Sequence, residues 1–245
     1  MRGFETLGCF PTGRHYPGIA HLLRIVVVGL ADEFASESVL GEIDLVAIDT
    51  ETTGRDPEVD RIVEIACVRY RGGVVIERKS WLVNPGRPIP KEASDVHGIT
   101  DEAVRDAPPF TRVVEELLLA IQSAVPVAYN AEYDRKVLHA ELARENLSLD
   151  DPPPALRHNI EWIDPLVWAR EIQKNEKSRA LSEVAERLGV ALEGAHRAAN
   201  DAEATLHVLS HFLREPRVPK TYGAFVQEQR RLARLFDDER KVWRR

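Results

Sequence analysis

The stretch VAIDTETTG, residues 46–54, decides the fold because a run typical of a buried strand ends in two acids. Successive side chains alternate across a strand, so Asp49 and Glu51 are expected to point to the same face. Two carboxylates on one face repel each other and lose hydration when they are buried. An isolated Asp-x-Glu pair most often marks the solvated end of a strand. Further acids elsewhere in the chain are therefore needed before this pair indicates a binding site.

The composition indicates one globular domain. The chain has 245 residues, of which 44% are hydrophobic and 30% charged, as is ordinary for a soluble domain with a full core. A net charge of -7 argues against a surface that neutralises nucleic-acid phosphates throughout, but it permits a nucleic-acid enzyme that uses metal ions. Cys9 and Cys67 form no disulfide framework, so we expect a reduced, cytoplasmic setting. The apolar run at residues 25–31 is too short to cross a bilayer, so we expect no membrane association.

Three segments follow one another along the chain. Residues 1–43 carry no motif, and their Gly/Pro-rich opening predicts a loosely ordered N-terminal extension of unknown role. Residues 44–213 show regular hydrophobic patterns and are the predicted domain. Residues 214–245 contain ten Lys/Arg and five Asp/Glu, which predicts a basic helical tail. Such a tail most often packs on its own domain, and its charge also suits contact with a nucleic-acid backbone.

The hydrophobic patterns predict an α/β fold. Residues 45–51, 61–70 and 74–83 are typical of strands, and Gly72-Gly73 supplies a tight turn, so an antiparallel meander is expected. After the meander, strands at 125–129 and 160–163 alternate with helices at 114–121, 131–142, 181–188 and 201–213. This order predicts a mixed five-stranded sheet with helices on both faces.

Two further blocks contain acids at the ends of predicted elements. Asn130 to Asp134, NAEYD, places an acid in the first turn of a helix that follows a strand. His196 to Asp201, HRAAND, places another at the start of the last helix of the domain. Either acid alone is explained by the helix dipole. Together with the first pair they make four carboxylates and one histidine, a set that suits Mg²⁺ or Mn²⁺ and phosphoryl chemistry.

The three blocks DTETTG, NAEYD and HRAAND resemble, in this order, the three motifs of the DEDDh 3'–5' exonucleases, whose fold is ribonuclease-H-like. The nearest kind is the epsilon proofreading subunit of bacterial DNA polymerase III and its stand-alone relatives. The segments 84–102 and 162–170 also resemble parts of this family. The resemblance covers about residues 44–213.

The resemblance implies a role for each matched residue. Two Mg²⁺ ions, with Mn²⁺ as a substitute, are expected to bind the acids, and His196 is expected to be the general base. The sister class has a tyrosine four residues before the last acid, where this chain has Arg197, so the histidine class is favoured. The implied metal ligands are Asp49, Glu51, Asp134 and Asp201. The implied substrate-binding residues are Thr52, Thr53, Gly54, His97, Asn130 and Tyr133.

Some of these positions leave an alternative open. His97 is also explained as a loop residue that caps a nearby helix. Tyr129 stands where many relatives have histidine, and Tyr133 stands where phenylalanine is common. Neither change affects an implied metal ligand, but both alter the substrate contacts that the resemblance implies for the second motif.

The sequence therefore predicts an exonuclease that releases nucleoside 5'-monophosphates from 3' ends of single-stranded or frayed DNA, in replication proofreading or repair. A DNA polymerase subunit is its expected protein partner. The first alternative is an exoribonuclease that acts on RNA 3' ends, because RNA is distinguished by contacts to the 2'-hydroxyl that sequence does not reveal. The second is a catalytically silent polymerase-binding module, which the presence of all four acids and His196 disfavours.

Overall fold

The sheet has four strands and mixed direction. A computed structural model describes residues 28–192 and 194–243. The strands are β1 (Leu45–Thr52), β2 (Ile62–Arg71), β3 (Val74–Leu82) and β4 (Val125–Val127), in the order β3-β2-β1-β4. β1, β2 and β3 form the predicted antiparallel meander, and β4 lies parallel to β1.

Eight α-helices accompany the sheet in the described part of the chain. They are α1 (Lys91–His97), α2 (Asp101–Val104), α3 (Phe110–Ile121), α4 (Ala131–Arg144), α5 (Pro165–Ile172), α6 (Leu181–Leu188), α7 (Ala198–Phe212) and α8 (Tyr222–Trp243). The predicted helices are all present, and α6 ends at Gly189, whose φ of 68° suits the left-handed cap. The short helices α1, α2 and α5 were not predicted. The seven residues of α1 and the four of α2 give too little hydrophobic periodicity.

The prediction of five strands was wrong. Residues 160–163 make only one parallel bridge, between Val127 and Ile163. Ile163 N donates to Pro126 O at 2.9 Å, and Ala128 N donates to Ile163 O at 3.0 Å. The pairing stops there because Asp164 caps α5 and Pro165 begins it, so the backbone leaves the sheet at once.

Helices cover both faces of the sheet, as predicted. On β1, Leu45 and Ala47 belong to the apolar cluster that includes residues of α5, α6, α7 and α8. Val46 and Ile48 point the other way and belong to the cluster with α3 and α4. The strand is therefore buried on both sides, which fixes its backbone firmly up to the first acid.

Residues 28–43 pack on the domain together with α8. Leu40 is fully buried, and its N–H donates to Lys220 O at 2.8 Å. Ala31 N donates to the buried Tyr222 hydroxyl at 2.9 Å. The expectation of a loosely ordered extension is thus wrong for residues 28–43, whereas residues 1–27 lie outside the described residues. Over the described part of the chain, none of the helices is both long and apolar enough to cross a membrane.

Candidate active site

Three of the predicted acids converge where β1 meets α7. Asp49 and Glu51 lie on the face of β1 that α7 covers, and both remain inside the ladder with β2. α7 brings Asp201, in its first turn, to the same place. One oxygen from each of these three carboxylates lies within 4.8 Å of the others. The rigid strand and the long helix together fix this group, called here the acidic cluster.

Asp134 lies beside the acidic cluster but points to the backbone of β1. It belongs to α4, on the opposite face of the sheet. Its Oδ1 accepts hydrogen bonds from Thr50 N at 3.0 Å and from Thr50 Oγ1 at 2.8 Å. Asp134 is not one of the three carboxylates within 4.8 Å of one another, yet its charge helps to raise the pKa of Asp49.

Burial raises the pKa of all four acids, and repulsion from neighbouring carboxylates adds to this. Burial, and then the charges of Asp134, Asp201 and Glu51, raise the pKa of Asp49 well above its ordinary value. Burial and neighbouring carboxylates raise the pKa of Glu51 to about 8. Burial raises the pKa of Asp134 to about 7, although the hydrogen bonds from Thr50 act to lower it. Burial also raises the pKa of Asp201. The group is short of positive charge, which a bound cation would supply.

The acidic cluster fits a divalent metal ion. Its potential ligands are all carboxylate oxygens, the type that hard cations prefer. Asp201 Oδ2 accepts a hydrogen bond from His196 N at 3.1 Å. Asp201 Oδ1 is buried and has no hydrogen-bond partner among the described residues, although such a buried atom normally has one. An ion in the cluster would satisfy this atom.

His196 lies at the exposed rim of the acidic cluster. Its φ of 64° is in the left-handed region, and this conformation directs its N–H to Asp201. The side chain is exposed, and it is close enough to interact electrostatically with Asp201 and with His97. An exposed imidazole beside buried carboxylates can accept a proton from a molecule bound between them.

The predicted residues of the turn after β1 form one hydrogen-bonded unit. Thr52 Oγ1 donates to Gly54 O at 2.6 Å, and the Tyr133 hydroxyl lies 2.7 Å from Thr52 Oγ1 and 2.8 Å from Gly54 O. Thr53 Oγ1 donates to Asp60 Oδ1 at 2.9 Å. A Cβ atom at Gly54 would lie 2.6 Å from the Asp60 carboxyl carbon, so a side chain at this position would displace either the turn or Asp60. The hydroxyl that distinguishes Tyr133 from phenylalanine therefore holds this turn.

His97 supports the same turn through the backbone. It is buried at the end of α1, where its Nδ1 accepts a hydrogen bond from Ile99 N at 3.0 Å. Its Nε2 lies 3.3 Å from Thr52 O and must carry the proton for this contact. Burial lowers the pKa of His97, which keeps the ring neutral. His97 is thus the last residue of α1 and not the helix-capping loop residue of the alternative, and its contact with substrate stays a prediction.

Asn130 lies at the start of α4, with an exposed side chain and a left-handed φ of 70°. Its N–H donates to Asp164 Oδ1 at 3.0 Å, and Asp164 Oδ2 accepts from Ala131 N at 3.2 Å. Asp164 also caps α5 through Leu166 N at 2.9 Å. Asp164 was not predicted from the sequence, although an aspartate directly before a proline is a typical helix start.

Glu64 is a second residue of the site that was not predicted. It lies on β2, is buried, and accepts hydrogen bonds from Ser80 Oγ at 2.8 Å and Ala198 N at 3.3 Å. Arg197 Nη2 donates to it at 3.0 Å. These contacts fix the start of α7, and with it Asp201. An acid inside the apolar run IVEIACV is the signal that could have revealed it.

Comparison with known proteins identifies the family. The exonuclease family RNase_T matches residues 46–209. DNA polymerase III PolC-type of Thermotoga maritima is 32% identical over 196 residues, which are 80% of this chain and 14% of that protein. The PolC-type polymerase of Streptococcus agalactiae serotype III is 35% identical over 178 residues, 73% of this chain and 12% of that protein. The chain thus spans only a small part of these relatives.

Solved structures show the same fold. Exonuclease X in complex with 5' overhanging duplex DNA superposes with a TM-score of 0.57 at 27% identity, over 74% of this chain and 98% of that one. Exonuclease I of E. coli in complex with a dT13 oligonucleotide gives a TM-score of 0.58 at 22% identity, over 73% of this chain and 42% of that one. The ribonuclease-H-like fold is therefore confirmed. The chain belongs to the exonuclease family RNase_T, among the DEDD-type 3'–5' exonucleases.

Proposed function

We propose that this protein uses divalent metal ions to hydrolyse DNA from its 3' end, releasing nucleoside 5'-monophosphates from single-stranded or frayed ends. The observation that carries the proposal is the acidic cluster of Asp49, Glu51 and Asp201, with its unpartnered buried oxygen. Membership of the exonuclease family gives the reaction class. The DNA in the Exonuclease X complex and the PolC-type relatives support DNA rather than RNA as the substrate.

Each residue has a proposed role in this reaction. Asp49, Glu51 and Asp201 would hold a Mg²⁺ ion, and Asp134 would complete a site for two ions, with Mn²⁺ as a substitute. Bound ions of this kind stabilise charge on a phosphate and lower the pKa of a bound water. His196 would accept the proton of the attacking water. The terminal nucleotide would lie against residues 52–54, His97, Asn130 and Tyr133.

The proposed setting is replication proofreading or repair. The PolC-type relatives are polymerases, and the matched region is a small part of each, so a polymerase is the proposed partner. Residues 44–213 would be the catalytic unit, and the basic residues of 214–245 would contact the nucleic-acid backbone. Residues 1–43 have no proposed role.

The test uses purified protein and 5'-labelled oligonucleotides: single-stranded DNA, matched RNA, and duplexes with paired or mispaired 3' ends. We expect stepwise shortening of DNA with Mg²⁺ and with Mn²⁺, and fastest removal at mispaired ends. Asp49→Asn should abolish it, whereas Asp95→Asn, an exposed acid of α1 paired with Lys91, should not. Preference for RNA would contradict the choice of substrate. Absence of shortening in every case would favour the silent module.

A further inference from the structure

We infer that Gln229 of α8 is a positioning residue for the second acidic motif, so that the C-terminal helix supports the catalytic unit of residues 44–213 from outside it. The inference rests on the proposed function. It joins Gln229 to Asp134 through Asp164 and the start of α4. The non-covalent contacts along this path are hydrogen bonds of 2.8 Å, 3.2 Å and 3.0 Å, and the first turn of α4 links Ala131 to Asp134.

The first step is the side chain of Gln229, which is 2% exposed. Its Oε1 accepts a hydrogen bond from Asp164 N at 2.8 Å, and its Nε2 donates to Trp162 O at 2.8 Å. The segment at 160–164 therefore pairs with Val127 on one side and with this amide on the other. The side-chain amide thus makes the two backbone hydrogen bonds that a neighbouring strand would make on this side of the segment.

The second step is Asp164. With its backbone N–H held by Gln229, its carboxylate accepts hydrogen bonds from Asn130 N at 3.0 Å and Ala131 N at 3.2 Å. These are the first N–H groups of α4, which have no partner within the helix. Asn130 has no side-chain cap of its own, so Asp164 fixes where the helix begins and how it is oriented.

The third step runs from the helix to the acidic cluster. Asp134 lies in the first turn of α4, and its Oδ1 binds both polar hydrogens of Thr50, between Asp49 and Glu51 on β1. A shift at the start of α4 would therefore move Asp134 and loosen the strand that holds the other two acids. Displacement by about 1 Å at a reacting centre can cost about 100-fold in rate.

The chemistry of glutamine suits this place specifically. Its amide offers a donor and an acceptor side by side, which match Trp162 O and Asp164 N. Methionine has a similar length but pairs with neither, so two buried backbone groups would lose their partners. Glutamate could still accept from Asp164 N, but it could not donate to Trp162 O.

The experiment compares Gln229→Met and Gln229→Glu with wild type and with Phe225→Leu. Phe225 belongs to the same helix, and its ring packs on Trp168 with centroids 4.8 Å apart, so this control weakens the packing of α8 while sparing the amide contacts. For each protein the measurements are the melting temperature, kcat and KM on single-stranded DNA, and Mn²⁺ affinity by calorimetry.

We expect Gln229→Met to lower kcat by up to about 100-fold and to weaken Mn²⁺ binding, with little change in KM, because a displacement of about 1 Å at a reacting centre can cost about 100-fold in rate. Gln229→Glu should be intermediate. Phe225→Leu should lower the melting temperature without these effects. Wild-type kcat and Mn²⁺ affinity in either folded Gln229 variant, or equal losses in Phe225→Leu, would overturn the inference. An inactive wild type would instead refute the proposed function, and calorimetry would still test the role of Gln229.

Discussion

Glu51 and Glu64 are cross-strand partners in the β1–β2 ladder, yet their surroundings favour opposite protonation states. Burial, and then the charges of Asp201 and Glu64, raise the pKa of Glu51 to about 8. Burial also acts on Glu64, but hydrogen bonds from Arg197, Ser80 and Ala198 N outweigh it and hold the pKa of Glu64 below its ordinary value. Protein groups thus balance the negative charge of Glu64, whereas the charge of Glu51 needs a bound cation.

Glu64→Gln should therefore loosen the start of α7. The variant removes the charge that binds Arg197, whose guanidinium is half-exposed and can stay hydrated, so we expect a loss of about 1–3 kcal/mol in the free energy of unfolding. Because the folded pKa of Glu64 is lowered, its contribution is present above the unfolded pKa and is lost as pH falls through the folded pKa. Denaturant titrations at neutral and acidic pH measure both effects.

The control for this prediction is Glu203→Gln. Glu203 also lies on α7, where its partly exposed side chain pairs with Arg78 of β3. Surface pairs of this kind contribute about 0–1 kcal/mol, so this variant should be close to wild type. Equal effects of the two substitutions would show that the contacts of Glu64 do not hold α7.

Without metal, the protein should lose stability as the pH rises. The folded pKa of Glu51 is raised from 4.5 to about 8, so between these values the folded state binds more protons than the unfolded chain. Stability then falls with rising pH, by about 1.4 kcal/mol per pH unit for each extra proton. Bound Mg²⁺ would replace these protons and should stabilise the protein more at about pH 8 than at about pH 5. Melting curves with chelator and with Mg²⁺ provide the measurement.

Glu51→Gln should flatten this pH dependence, because glutamine does not titrate. Glu77→Gln, a change at an acid of β3 that pairs with Lys79 on the surface, should leave it intact. Stability of the metal-free protein that rises over the same range would contradict the assignment of raised pKa values to the acidic cluster.

The alternation of side chains along a strand is enough to predict that Asp49 and Glu51 share one face of β1. The position of Asp201 in the first turn of α7 could also be predicted. The orientation of Asp134 could not be predicted, because it depends on how α4 packs against the opposite face of the sheet. There Thr50 N donates a hydrogen bond to Asp134 Oδ1. The sequence pattern predicts on which face of a strand or helix a side chain lies, whereas the distances between the acids depend on how these elements pack together.

Glu64 shows why part of the site was missed. An acid within a strand is usually interpreted as exposed, and its partner Arg197 lies 133 residues further along the chain. The fifth strand was predicted although it does not form. Residues 160–163 have a suitable pattern, but the cap at Asp164 ends the pairing after one bridge, which periodicity alone does not reveal.

Gly54→Ala should damage the turn after β1. Its Cβ would lie 2.6 Å from the Asp60 carboxyl carbon, so either the turn or Asp60 must move, at a cost of about 1–3 kcal/mol in unfolding free energy. Activity should fall further than stability, because Thr52 and Thr53 belong to the same unit. Gly41→Ala is the matched control, since its Cβ would meet only Leu213 at 3.6 Å. Wild-type kinetics in Gly54→Ala would show that the turn does not contact substrate.

His196→Gly should separate two roles of this residue. The imidazole is the proposed base, whereas the backbone N–H holds Asp201 Oδ2. Glycine adopts the φ of 64° without strain, so the variant should keep this hydrogen bond and wild-type Mn²⁺ affinity. Loss of a general base lowers kcat by about 100-fold to 10,000-fold, and the pH dependence of kcat should change with it. His196→Ala loses the same base but strains the backbone, so it should also weaken Mn²⁺ binding. If His196→Gly retained wild-type kcat, proton transfer would have to occur without this imidazole, and the exposed ring would have no role in the reaction.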